Sequence, residues 1–262
     1  MRANAAEALG WLGEAGAQSE VVAGLVQTVL GDAKYQVRTC AAEALGRLAG
    51  AEARPEVLAA LVQTLSGDPD GWVRKCAAEA LGGYAEAGAR PQVLAALMQA
   101  ALDGVELVVR LSAAEALGRL GLIGARSDVL VALVQAVLGD TEACVRGLGA
   151  KALGTLEKPG AQPEIVAALA KAASCDADDW VRCSATEALG ELGELGARSE
   201  VVAVLVQSAL GDADARLRWR AEYTLAALML RGWRIFGSAE QEYRAEKTAN
   251  LARLPAPYES TT

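Results

Sequence analysis

The chain has 262 residues, 53% of them hydrophobic and only 4% aromatic, with a formal net charge of −8 and no histidine. An acidic chain repels phosphate backbones, which disfavours nucleic acid as a partner, and the missing histidine removes the commonest general base and metal ligand. Five cysteines without a Cys-x-x-Cys pair form neither a disulfide framework nor a zinc site; they read as small reduced core residues of a cytoplasmic protein.

Taken in order, the chain is a repeat. Ala-Ala-Glu-Ala-Leu-Gly occupies residues 5–10 and returns at 41–46, 77–82 and 113–118, with looser copies beginning at Gly149, Ala185 and Ala221, so that every step is 36 residues. A fixed period in this range marks a stacked array of one supersecondary unit. The expected divisions are a truncated first repeat at 1–32, full repeats at 33–68, 69–104, 105–140, 141–176 and 177–212, a capping hairpin at 213–254 and a disordered tail at 255–262. Met1-Arg2 already occupies the second-turn position of a helix, without a leader-like apolar segment, which suggests a portion of a longer array. No uncharged apolar run reaches the ~18–20 residues of a bilayer span.

Residues 33–68 serve as the reference unit. Ala33 to Gly50 places Val37, Cys40, Ala41, Ala44, Leu45 and Leu48 at spacings of three and four, one face of a helix, here called A. Gly50 to Arg54 breaks it. Pro55 opens a second helix, B, whose Val57, Leu58, Leu61, Val62 and Leu65 form the apolar face, and Gly67 is expected to end it. Asp68, Pro69 and Asp70 make the turn into the next A helix, with Asp70 as N-cap. Each unit is thus read as an A–B hairpin that covers its apolar faces only by stacking, and the fold class as an all-α solenoid. In the recurring string, the alanines allow close helix approach, Leu fills the core, Glu faces water and Gly loosens the helix end. Past 231, Gly232 and Gly237 interrupt the pattern, and Ser238 with Gln241 could cap a last helix over 239–253. From 213 onward there are 8 basic and 6 acidic residues, net +2, leaving −10 for the rest.

No phosphate-binding glycine loop appears, and the glycines follow the repeat. Glu7, Glu43, Glu79, Glu115 and Glu187 form a column interrupted by Lys151; one repeat apart, they read as a solvated helix face rather than an acid–base pair. Asp176, Asp178 and Asp179 form a denser acidic turn, read as helix capping because the spacing is not that of a calcium loop. No metal site, catalytic set or cofactor is expected. Two features are candidates for binding. Gln27, Gln63, Gln99, Gln135 and Gln207, with Lys171 replacing one of them, line one side of the B helices; Thr28, Thr64, Ala96, Ala132, Ala168 and Ser208 beside them are small. Trp72 and Trp180 share one repeat position at the start of helix A, off the Val73 and Val181 face, and are candidate interface anchors.

The pattern of Asp, then Val-Arg, then Ala-x-x-Ala-Leu-Gly, then a leucine-spaced second helix resembles HEAT repeats, and most closely the bacterial HEAT-like kind also present in phycobilin lyases. The resemblance covers residues 1 to about 231. It implies an Asp–Arg hydrogen-bond ladder linking Asp32, Asp68, Asp140, Asp176 and Asp212 with Arg38, Arg74, Arg146, Arg182 and Arg218, with a break expected at Arg110 because Gly104 stands in place of Asp. It also implies that the B helices line the concave side, which puts the glutamine column in the inner groove. The function so implied is a non-catalytic scaffold that binds a protein or peptide on that face, the array part of a larger bacterial regulatory protein. A chromophore-handling protein like the phycobilin lyases and a HEAT-like nucleic-acid binder are the alternatives.

Overall fold

The computed structural model describes residues 1–11, 18–48, 54–84, 90–121, 127–155, 163–192 and 199–230. Residues 50–53 of the predicted break at 50–54, the last helix at 239–253 and the tail at 255–262 lie outside them. The described residues form thirteen α-helices and no strand. The odd-numbered ones are the A helices: α1 (Arg2–Trp11), α3 (Tyr35–Arg47), α5 (Gly71–Gly82), α7 (Leu107–Gly121), α9 (Ala143–Thr155), α11 (Asp179–Glu191) and α13 (Ala215–Leu230). The even-numbered ones are the B helices: α2 (Ser19–Gly31), α4 (Pro55–Gly67), α6 (Pro91–Asp103), α8 (Ser127–Gly139), α10 (Pro163–Cys175) and α12 (Ser199–Gly211). A packs on A and B packs on B along the array, so the molecule is an all-α solenoid in two layers.

The helix starts follow from local chemistry. Pro55, Pro91 and Pro163 open three B helices, where the missing N–H has no intrahelical partner to lose. Asp70 Oδ1 accepts from the Trp72 and Val73 amides at 2.9 and 3.4 Å, and Asp178 Oδ1 does the same for Trp180 and Val181 at 3.0 and 3.3 Å. One expectation needs correction. The A–B pair is not the tight hairpin: each B helix packs mainly against the A helix that follows it across the Asp turn, and only slightly against the one before. Gly67 is the last residue of α4, as expected, and Asp68 leaves the helix in an extended conformation, φ −66°, ψ 134°.

The core is two rows of leucine. Leu45, Leu81, Leu117, Leu153 and Leu189 of the A helices and Leu61, Leu97, Leu133, Leu169 and Leu205 of the B helices are fully buried. At ~25 cal/mol per Å² of apolar area, these rows supply the main cohesion between repeats. The A helices approach through small residues. A Cβ placed on Gly46 would lie 3.0 Å from Ala80 Cα, and on Gly82 2.9 Å from Ala116 Cα, with Gly10–Ala44 and Gly154–Ala188 alike. The glycine of the recurring string therefore marks the point of closest helix approach rather than a loosened end. Buried Tyr84 ties two A helices together by donating its hydroxyl proton to Leu45 O, a carbonyl in the last turn of α3, at 2.6 Å.

Candidate interaction surface

The Asp turns carry a continuous ladder. Arg38 donates from Nε and Nη2 to both carboxylate oxygens of Asp68 at 2.7 and 2.8 Å, while its Nη1 donates to Asp32 O at 2.8 Å. Arg146 repeats this with Asp176 (2.7 and 2.8 Å), Arg182 with Asp212 (2.9 and 3.1 Å) and Arg110 with Asp140 (2.8 and 3.2 Å). Each aspartate also accepts from the amide two residues on, as Asp68 does from Asp70 at 2.9 Å. The Arg38 and Asp68 side chains are only 11% and 6% exposed, so these are forked, largely desolvated pairs rather than surface ion pairs. From Arg38 to Arg182 every ladder arginine reaches forward to the next turn. The repeat that loses its partner at Gly104 is therefore that of Arg74, not Arg110: Arg74 pairs with Glu106 instead, and keeps its bond to Asp68 O. Arg218 donates to Asp212 O at 2.7 Å. For Asp176, burial raises the pKa, but the Arg146 and Asp178 N–H hydrogen bonds and the nearby guanidinium charges outweigh it, and the net shift is downward; Asp212 follows the same pattern with Arg182 and Asp214.

Gln27, Gln63, Gln99, Gln135, Lys171 and Gln207 are all exposed, and none makes a hydrogen bond within the described chain. Gln63 and Gln99 edge two clefts between successive repeats. One of about 260 Å³ also takes in Arg38, Asp32 and Asp68, and one of about 380 Å³ takes in Arg74, Asp103 and Glu106. The small neighbours do not open a floor beside the column. Thr64, Ala132, Ala168 and Ser208 are buried, and the Thr64 hydroxyl is spent on Ala60 O at 2.8 Å.

The glutamate column is not simply solvated. Glu43 accepts from Cys76 at 3.7 Å, Glu79 from Ser112 at 3.3 Å and Glu187 from Arg220 at 3.2 Å, each across a spacing of 33 residues. Glu43, Glu79 and Glu115 also pair with Arg47, Lys75 and Arg119 on their own helices. This second ladder fails at Lys151. The residue 33 further on, Ser184, is buried, and its hydroxyl is a side-chain polar atom without a hydrogen-bond partner.

Trp72 and Trp180 are 52% and 40% exposed. Trp180 does not rest on its own turn. The Trp180 ring lies over the preceding A helix, where a Cβ on Gly147 would fall 2.1 Å from its Cζ3, with Lys151 Nζ 5.4 Å from the ring centre. Lys75 stands over Trp72 at 5.2 Å. Trp219 and Tyr223 stack at 5.6 Å on α13, a pair that α-helical i, i+4 spacing makes legible. The acidic turn is fully assigned to structure: Asp176 sits in the ladder, Asp178 caps α11 and Asp179 pairs with Arg216 at 2.7 Å. Among the described residues no group of acidic residues or cysteines is placed to hold a metal, and the cysteines are all unbridged. Burial, only partly offset by Lys75, pushes the Cys76 thiol up to about 12, far from a nucleophile. No helix among the described residues is long and apolar enough to cross a membrane.

Two-layer stacking of helix pairs with a turn ladder defines an α-solenoid. The model of the HEAT-repeat family matches residues 22–118 and 120–226, so the chain belongs to the HEAT-repeat family. Among solved structures it is similar to importin β (TM-score 0.61, 16% identity, covering 93% of this chain and 36% of that one). It is also similar to a chain in a structure of Kap95p binding to RanGDP (TM-score 0.66, 16% identity, 90% and 33% covered). The chain therefore spans about a third of these larger solenoids. Human deoxyhypusine hydroxylase matches with 26% identity over 87% of this chain and 79% of its own, at a TM-score of 0.42. A comparison with curated proteins finds no match.

Proposed function

We propose that the protein is a non-catalytic scaffold that binds a protein or peptide along its B-helix face, as the array part of a larger bacterial regulatory protein. One observation carries this reading. Five exposed glutamines recur at the repeat period, with neither donor nor acceptor used among the described residues. The Asp, Arg and Glu columns at the same period all have internal bonds that account for them; the glutamines have none. A row of free amides, each both donor and acceptor, suits the backbone of an extended partner. The HEAT fold supports it, since arrays of this kind present long surfaces built from one repeating unit. The absence of histidine from the sequence argues against acid–base or metal catalysis on the same face.

The test is selection of displayed random peptides on the chain, followed by measurement of their affinity for the Gln63→Ala, Gln99→Ala, Gln135→Ala triple variant. Binders that lose roughly ten-fold or more in affinity support the reading. If every selected peptide binds the variant as well as the parent, the glutamine column is not the binding surface.

A further inference from the structure

On the opposite layer, between α11 and α13, lies an open cleft of about 550 Å³, within the size range of ligand sites. Trp180, Trp219, Cys183, Leu217 and Ala215 are among the residues that line it. Each ring is anchored on one side and free on another. Trp180 rests on the bare backbone of Gly147 beside Lys151, and Trp219 is stacked by Tyr223 while remaining 60% exposed. The charges at the cleft are spent on one another: Arg216 bridges Asp179 at 2.7 Å and Asp214 at 3.0 Å, and Arg220 pairs with Glu187 at 3.2 Å. Neither indole N–H has an acceptor among the described residues. What the cleft offers is therefore two held aromatic faces, two unused N–H donors and no unpaired charge.

We propose that this cleft binds an uncharged, proline-rich segment of a partner protein in the polyproline II conformation. Such a segment is complementary in two respects. It has no charge to leave unpaired. Its carbonyls make no internal hydrogen bonds and are open to indole donors. An anionic or cationic peptide would instead have to displace Arg216 from two carboxylates or face the same aspartates. The site is separate from the glutamine column, so either proposal can fail alone.

The experiment is fluorescence anisotropy of dye-labelled decaproline titrated with the full chain. Saturable binding is expected, weakened at least about ten-fold by Trp180→Ala and by Trp219→Ala, and unchanged by Trp72→Ala, whose indole does not line this cleft. Trp219→Phe, which keeps the stacking face and removes the donor, should give an intermediate loss. Binding should hardly vary between about 50 mM and about 500 mM salt. Because Trp219 lies largely in solvent, its variants should keep the parent's helical circular dichroism. The proposal is overturned if decaproline does not bind saturably, if both alanine variants bind as the parent does, or if oligoglutamate or oligoarginine of equal length binds as well.

Discussion

The A-layer packing predicts that one substitution, glycine to alanine, has opposite effects at two positions in adjacent repeat units. A Cβ on Gly82 would lie 2.8 Å from Ala116 Cβ and 2.9 Å from Ala116 Cα. Relaxed carbon contacts sit at about 3.5–4.0 Å, so the helices would have to separate by nearly an ångström. No rotamer change relieves this, because the obstructing atom is backbone in a helix packed on both sides. Overpacking of this kind costs about 2–3 kcal/mol, and alanine's better helix propensity returns at most about 1 kcal/mol. The net expectation for Gly82→Ala is a loss of about 1–2 kcal/mol, a fall in melting temperature of roughly 3–6 °C for a chain of this size. Gly67 has nothing within 4 Å of its would-be Cβ and no positive φ. Gly67→Ala should therefore leave stability unchanged or raise it by up to about 0.5 kcal/mol, through the smaller entropy of the unfolded chain. Thermal melts followed by circular dichroism decide it. Adding Ala116→Gly to the Gly82 variant should recover part of the loss, as a coupled pair requires. If Gly82→Ala melts with or above Gly67→Ala, the close-approach argument is wrong.

Three further outcomes follow from the two ladders. Ser184→Ala removes a buried hydroxyl without a partner and should stabilise by about 1 kcal/mol; Lys151→Glu should supply the acceptor that other repeats possess, and its gain should vanish in the Ser184→Ala background, measured by chemical denaturation. Arg146→Ala leaves the mostly buried Asp176 carboxylate without its guanidinium and should cost about 2–3 kcal/mol, whereas Arg2→Ala, whose side chain is 68% exposed, should cost at most about 0.5 kcal/mol. Asp176 and Asp212 have lowered pKa values in the fold; depressed carboxylates stabilise above the unfolded value near 3.9 and lose that contribution as pH falls through the folded value, so the melting temperature should drop from about pH 5 towards pH 3. In the Arg146→Ala variant that drop should be shallower.

The helix pattern, both leucine rows and the residues of the Asp–Arg ladder were legible in the sequence, because each follows from period and polarity. The direction of the ladder was not. Arg38 touches Asp32 through a carbonyl and Asp68 through a carboxylate, and in an exact repeat the two pairings have the same period. They separate only where a copy is defective: Gly104 strips the carboxylate from Arg74, thirty residues earlier, and leaves Arg110 intact. The same degeneracy hid the second ladder, since a glutamate that bonds the next repeat and one that faces water read alike. The tight B-to-A hairpin escaped for a related reason: periodicity fixes the step of an array but not where a unit begins.

Internal bonding separates the columns more sharply than sequence regularity does. Stability accounts for the repeated Asp and Arg, for the Gly–Ala contacts and for the leucines, all of which lose a partner when changed. It accounts for the glutamines only through helix propensity, which Lys, Glu or Arg would serve equally well and which does not explain an uncharged amide at five of six copies. On the outer layer the reverse holds. The position of Trp72 and Trp180 carries Gln36, Val108, Cys144 and Arg216 in other copies, so no common structural demand fixes it. Where Trp180 occurs, the preceding helix carries Gly147, the residue whose missing side chain leaves room for the ring. That local match, absent from the other repeats, is what a site made at one junction requires, while the uniform glutamine row is what a partner running along several repeats requires.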